Sequence, residues 1–149
     1  MMVDDIAAAS NRTITPSEVG PKVNDTFASI PRWLEADRDL VRAGQLLNVD
    51  CLLGPIGQPF LVSIRLGRIT AMSAAPKLRP SWRFAYTASS AAWIEYWRPE
   101  PKPGWHDLLA LTKRGEASLG GDLHPFMTHL QYFKDLLALP RSHASGQSA

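Results

Sequence analysis

Trp105–Leu139 reads WHDLLALTKRGEASLGGDLHPFMTHLQYFKDLLAL, and its order of apolar runs and glycines decides the fold. A helix is predicted from Trp105 to Arg114, closed by Gly115 after a Lys-Arg last turn. Glu116–Gly120 follows as a short strand with Ala117 and Leu119 on one face. Asp122 is placed to cap a final helix. Leu123, Phe126, Met127, Leu130, Phe133, Leu136 and Leu137 recur there at helical spacing. Pro140 ends that helix, and 141–149 is expected to be a disordered polar tail.

Working back from this unit, SWRFAYT alternates cleanly, with Trp82, Phe84 and Tyr86 on one face of a strand. Ser89 or Ser90 caps a helix, SAAWIEYWR, which Pro99 stops. PEPKPG makes a rigid loop. Leu47–Leu53 and Phe60–Leu66 alternate on either side of GPIGQP and read as a hairpin, and Arg68–Ala74 as a third strand. Pro31 opens a helix running to about Arg42, ended by Ala43-Gly44. Asn24 or Asp25 caps a short helical piece before it. Residues 1–22 are expected to be a flexible arm with a short helix near Val3–Ala9. The domain then runs from 23 to 140.

Runs of strands followed by a helix-rich end predict an α+β domain, one sheet covered on one face by helices. The fifth strand, wedged between helices, is expected to insert beside a strand that is not its sequence neighbour. With 149 residues the chain suits one core, and 45% hydrophobic with 20% charged residues is ordinary for a soluble protein. The net charge of +2 is small, and the basic residues are scattered, which argues against nucleic acid. The one cysteine, Cys51, alternates with Val49 and Leu53 and reads as core; an intrachain disulfide is impossible. No window approaches the ~20 apolar residues a membrane span needs. Asp4 and Asp5 stand where a signal peptide would carry Lys or Arg. A cytoplasmic protein is the simplest expectation.

GEASLGGD at 115–122, between two apolar helices, resembles the C-terminal signature of sterol carrier protein 2-like domains. In that family a helix ends at a Gly, a short strand follows, and a Gly-Asn or Gly-Asp pair starts the final helix. The strand Trp82–Thr87 running into SSAAW is similar as well. The resemblance covers roughly residues 33–139. It implies a five-stranded, mostly antiparallel sheet with helices on one face and a hydrophobic tunnel between them. It also implies a lipid, fatty acyl or sterol-like ligand. The C-terminus, GQSA, is not a peroxisomal Ser-Lys-Leu-type address, which favours a bacterial relative.

The residues point to the same chamber independently. The chain has five Trp, and Trp82, Trp93, Trp97 and Trp105 fall close together. Aromatic surplus beyond what a core needs suggests a ligand pocket or an interface. The candidate ligand-binding residues are Trp82, Phe84, Tyr86, Trp93, Tyr96, Trp97, Trp105, Phe126, Met127, Leu130 and Phe133. Plain core is the alternative for each taken singly. Arg83, Arg98, Lys113 and Arg114 could meet a ligand carboxylate or phosphate.

Other chemistry finds less support. His124 and His129 lie about 140° apart on a helix, and no ligand set stands at metal spacing. No nucleophile elbow is present, GPIGQP is a turn rather than a phosphate cradle, and no cofactor is called for. Three functions remain: a binding protein for a hydrophobic small molecule, an accessory subunit whose Trp-rich surface docks a partner enzyme or a second copy, and a small enzyme using Tyr86, Tyr96, His106, His124 or Asp122. The first is favoured, because the aromatic surplus converges with the carrier-like signature; the third is weakest, because nothing sets two titratable groups at catalytic spacing.

Overall fold

The alternation of Val49, Cys51 and Leu53 becomes β1 (Asn48–Pro55), with those three side chains buried. β2 (Phe60–Arg65) returns antiparallel, setting Cys51 opposite Val62 and burying Val62 and Ile64 beside them. β3 (Arg68–Ala74) extends the meander antiparallel to β2. The turn between β2 and β3 is Leu66-Gly67, with φ of 54° and 80°. Two positive φ values suit the right-handed twist of a two-residue hairpin. This computed structural model describes residues 16–74 and 81–148. The helix expected near Val3–Ala9 lies outside them.

β4 (Phe84–Ala88) does not pair with β3. It lies parallel to β1, with Cys51 opposite Phe84 and Leu53 opposite Tyr86. β5 (Ala117–Gly121) then pairs antiparallel with β4, giving the order β3-β2-β1-β4-β5. The expectation for the fifth strand is corrected here: it sits beside its sequence neighbour, and β4 is the strand that inserts next to a distant one. β4 also starts at Phe84, so Trp82 precedes the strand rather than sharing its face with Phe84 and Tyr86. The sheet is mixed but mostly antiparallel, and the domain is α+β as the residue pattern predicts.

The helices depart further from expectation. α1 is one helix from Pro16 to Glu35, with Pro31 inside it rather than opening it. A proline in a helix interior costs about 3 kcal/mol. Burial of Val23, Phe27, Ile30, Trp33 and Leu34 along one face offsets that cost. α2 (Arg38–Ala43) is separate, because Asp37 leaves the helical region and its carboxylate accepts from Leu40 N at 3.1 Å. α3 (Ser90–Tyr96) starts on Ser89, whose Oγ accepts from Ala92 N. α4 is shorter than predicted, Leu108–Lys113, since Asp107 acts as its cap and not as an interior residue.

The final helix is three pieces: α5 (His124–Thr128), α6 (Leu130–Leu137) and α7 (Leu139–Ser148). His129 breaks the run with φ −114° and ψ 35°. Across that break the apolar stripe no longer stays on one face, so Met127 is exposed while Tyr132 is buried. Asp122 still accepts from His124 N, at 3.1 Å, and also pairs with Arg83 at 3.1 Å. Pro140 falls in the first turn of α7, where its missing N–H leaves nothing unpaired. The stretch expected as a loose tail is thus helical to Ser148. Arg141 anchors it by donating to Tyr96 O from Nε and an Nη (2.9 and 2.6 Å).

Candidate functional site

The aromatic residues singled out in the sequence divide into two groups. Phe84, Tyr86, Trp93, Tyr96, Phe126 and Phe133 are all buried and touch one another. Phe84 meets Phe126 and Phe133 edge-on, at 5.4 and 5.2 Å. Phe126 stacks on Tyr86 and on Phe133, at 5.7 and 5.4 Å. Trp93 joins through Tyr86 and Tyr96 and stacks on Trp97 at 5.7 Å. β4, α3, α5 and α6 supply these rings. They fill the space between themselves, as close-packed interiors do.

The other candidates stand apart. Trp82 is half-buried over Gly121 and edges a polar groove with Asp50, Arg65 and Arg83. Trp105 lies under the Arg114 guanidinium, 4.8 Å from its ring centre. Met127 faces solvent, and Leu130 is half-buried against the core.

The space left between α1, the sheet and α6 lies on the far side of Phe27. It is an apolar cavity of about 10 Å³ lined by Phe27, Ile30, Leu53, Val62, Ile69, Met72, Leu136 and Leu137. That is room for about one water. Phe27 separates it from the aromatic cluster. Its ring meets Trp93 edge-on at 4.9 Å, Trp97 at 5.4 Å, and Phe60 face-on at 5.8 Å. Phe27 and Ile30 were not among the expected site residues. The spacing of Val23, Phe27, Ile30 and Leu34 is the signal that could have found them, and the prolines on either side hid it.

The titratable groups around the cluster have structural roles. Tyr86 OH donates to Leu108 O at 2.7 Å, and Tyr96 OH donates to Lys134 O at 2.9 Å. Burial pushes both phenols well above their ordinary range. Burial likewise raises the Cys51 thiol, with Asp50 adding to the effect. The His106 ring accepts from Gly104 N, and His124 faces Thr128 on the surface. No trio of His, Cys, Asp or Glu gathers at ligating distance among the described residues. Among the described residues three buried side-chain polar atoms lack a hydrogen-bond partner, Asn24 Oδ1, His129 Nδ1 and the Trp93 indole N–H, and the last lies within the aromatic cluster.

Asp107 joins α4 to α6. Its carboxylate accepts from Leu109 N and Ala110 N and pairs with Lys134 at 2.6 Å. Burial alone would raise it, but the Lys134 hydrogen bond and charge and the two amides outweigh that and hold it below the ordinary carboxylate range. A depressed folded value contributes stability above the unfolded pKa of about 3.9, lost as pH falls through the folded value. Asp107→Asn, which keeps a capping oxygen, is expected to cost about 1 kcal/mol at pH 7. The deficit should shrink below about pH 4. Urea unfolding of both proteins at pH 7 and pH 3 checks this.

No family model and no curated protein matches this chain by sequence. Solved structures do match in shape. A crystal structure of sterol carrier protein 2 superposes with a TM-score of 0.61 at 16% identity, over 78% of this chain and 94% of that one. The fold is that of sterol carrier protein 2. A conserved hypothetical protein of Thermus thermophilus, described in sterol-carrier terms, superposes at 0.52 with 16% identity, over 74% of this chain and 82% of its own. A UbiJ-SCP2 ubiquinone synthesis protein aligns at 0.47 with 13% identity, over 94% and 95% of the two chains. In the sterol carrier protein 2 fold of this chain, the wall facing the sheet is built by α1, α6 and the rings that α3 and α5 add to the aromatic cluster. Among the described residues no helix is long and apolar enough to cross a membrane.

Proposed function

We propose that the protein carries an apolar or amphipathic small molecule, a lipid, fatty acyl chain or sterol-like compound, between α1 and the sheet. The observation that carries this reading is the all-apolar cavity at Phe27, with the unpartnered Trp93 N–H one ring away. In the ligand-free state Phe27 and Ile30 fill the slot. Ligand entry moves α1 outward, and the acyl or ring system replaces Phe27 against Leu53, Val62 and Leu136. The expected lining of Phe84, Tyr86, Trp93, Tyr96, Phe126 and Phe133 becomes the floor of the opened chamber. Trp97 forms its rim, and Trp82, Trp105, Met127 and Leu130 lie outside it. An ester, carboxyl or hydroxyl oxygen on the ligand would satisfy Trp93. Affinity comes from apolar burial at ~25 cal/mol per Å². No acid–base pair is required.

Tryptophan fluorescence titration with palmitate, palmitoyl-CoA and cholesterol tests the reading, since Trp93 and Trp97 flank Phe27. A saturable change with at least one class is expected. A flat response to all of them overturns it.

A further inference from the structure

We propose that the outer edge of β3 pairs with the β3 of a second copy of this chain, joining two sheets into one about a two-fold axis. β3 is an end strand of the sheet, seven residues long. In an antiparallel ladder alternate residues turn their N–H and C=O away from the neighbouring strand. Among the described residues no hydrogen bond joins the β3 backbone to any element but β2. A row of open donors and acceptors is a template for another strand, and edges that stay single are blunted by charge, proline, bulges or brevity.

The two ends of the sheet differ in this respect. β5, at the far end, has five residues, finishes in Gly120-Gly121 and lies between Glu116 and Asp122. β3 has Arg68 at its start, held by Glu35, and then ITAMSA without a charge or a proline. Its bulge falls beside Ser63 and Ile64, toward the turn, and leaves Ala71–Ala74 in regular register. Thr70, Ala71, Ser73 and Ala74 are exposed and small, so their side chains do not hold a second strand away.

The chemistry of the edge selects its own copy. The uncharged run offers an acidic or basic partner nothing to pair with. Two β3 strands match in length and twist, and an isologous antiparallel pair repeats every contact twice. With the axis through Met72, Ala71 stands opposite the second copy's Ser73, and Thr70 opposite its Ala74, small on small. The two Arg68 then lie at opposite ends, roughly 27 Å apart, so the charge of the strand is not set against itself. Ile69 and Met72 are half-buried and line the apolar slot under α1. An axis normal to the sheet keeps both sets of helices on one face. The second copy's Met72 therefore meets this one and closes the slot at the sheet's edge. The inference goes beyond the carrier reading and does not rest on it.

Sedimentation velocity of the full chain over a range of concentrations tests it, together with two double variants at exposed positions. The wild type is expected to move from monomer to dimer as concentration rises. Ala71→Lys with Ser73→Lys puts lysine directly opposite lysine at both sides of the axis and should weaken association about tenfold or more. Ala71→Lys with Ser73→Glu sets lysine opposite glutamate at the same places and should associate within about threefold of wild type. Melting temperatures at low concentration should agree among the three proteins. In the wild type alone, β3 amides should exchange more slowly with solvent as concentration rises, while β5 amides stay unchanged. A wild type that remains monomeric overturns the proposal. So does a dimer that the lysine pair leaves intact, a loss of association in both variants alike, or equal exchange behaviour at the two edges.

Discussion

Gly121→Ala is expected to destabilise the protein by about 3 kcal/mol, whereas Gly120→Ala should be neutral or slightly stabilising. The two glycines are adjacent and look alike in the chain. Gly121 has φ 88°, and an added Cβ would lie 2.5 Å from Arg83 O and 3.0 Å from Phe84 Cα and the Trp82 ring. Two of those are backbone atoms of the strand's entry, held by the Phe84–Gly121 register and by Asp122 N donating to Arg83 O at 2.7 Å. Left-handed strain contributes roughly 1–2 kcal/mol. Pushing β5 off β4 adds an overpacking cost of about 1–3 kcal/mol. At Gly120 nothing lies within 4 Å of the new methyl and the backbone is ordinary, so the gain comes from a stiffer unfolded chain. Denaturant unfolding of the two variants decides it. Equal midpoints would mean that the β4–β5 register is not as described.

Phe27→Ala should have the larger effect, with opposite signs on two measurements. Phe27 is 1% exposed and touches Phe60, Trp93 and Trp97 while closing the apolar cavity. Truncation of a buried phenylalanine costs about 3–5 kcal/mol, because neighbours relax only partly into the void. The void adds on the order of 100 Å³ to the present slot. If apolar ligands enter here, the variant no longer has to expel the ring, and its affinity for palmitate should rise by tenfold or more. Saturating ligand should then recover most of the lost stability: at a hundred times Kd the gain is about 2.7 kcal/mol. Calorimetry with and without palmitate reads both. Lost stability without any ligand rescue would place the binding site elsewhere, even if wild-type protein responds in fluorescence.

Much of the frame was legible because it is encoded within single elements. Val49, Cys51 and Leu53 alternate, as do Phe84 and Tyr86, and each set is buried together. Gly115 does follow α4 with φ 80°, and Asp122 does meet the start of the next helix. Proline is where local pattern and structure part. Pro31 looked like a helix start and Pro140 like a helix end, yet the first is carried inside α1 and the second opens α7. Burial of Phe27, Ile30 and Leu34 overrode the first signal. Pro140 opens a helix because proline suits a first turn as well as a stop.

The site was legible only in its ingredients. Aromatic surplus and helical spacing pointed to β4, α3 and the α5–α6 region, where the largest buried rings do gather. Periodicity reports which side of an element is apolar; it does not report what covers that side. By itself, the sequence determined five strands, the glycine turns, the buried faces of β1 and β4, and an aromatic end. Only the tertiary structure decided that β4 inserts parallel to β1, that His129 turns Met127 out and lets Tyr132 in, and that α1 covers the sheet with Phe27. Those outcomes depend on contacts between residues far apart in the chain, and local pattern carries no record of such contacts.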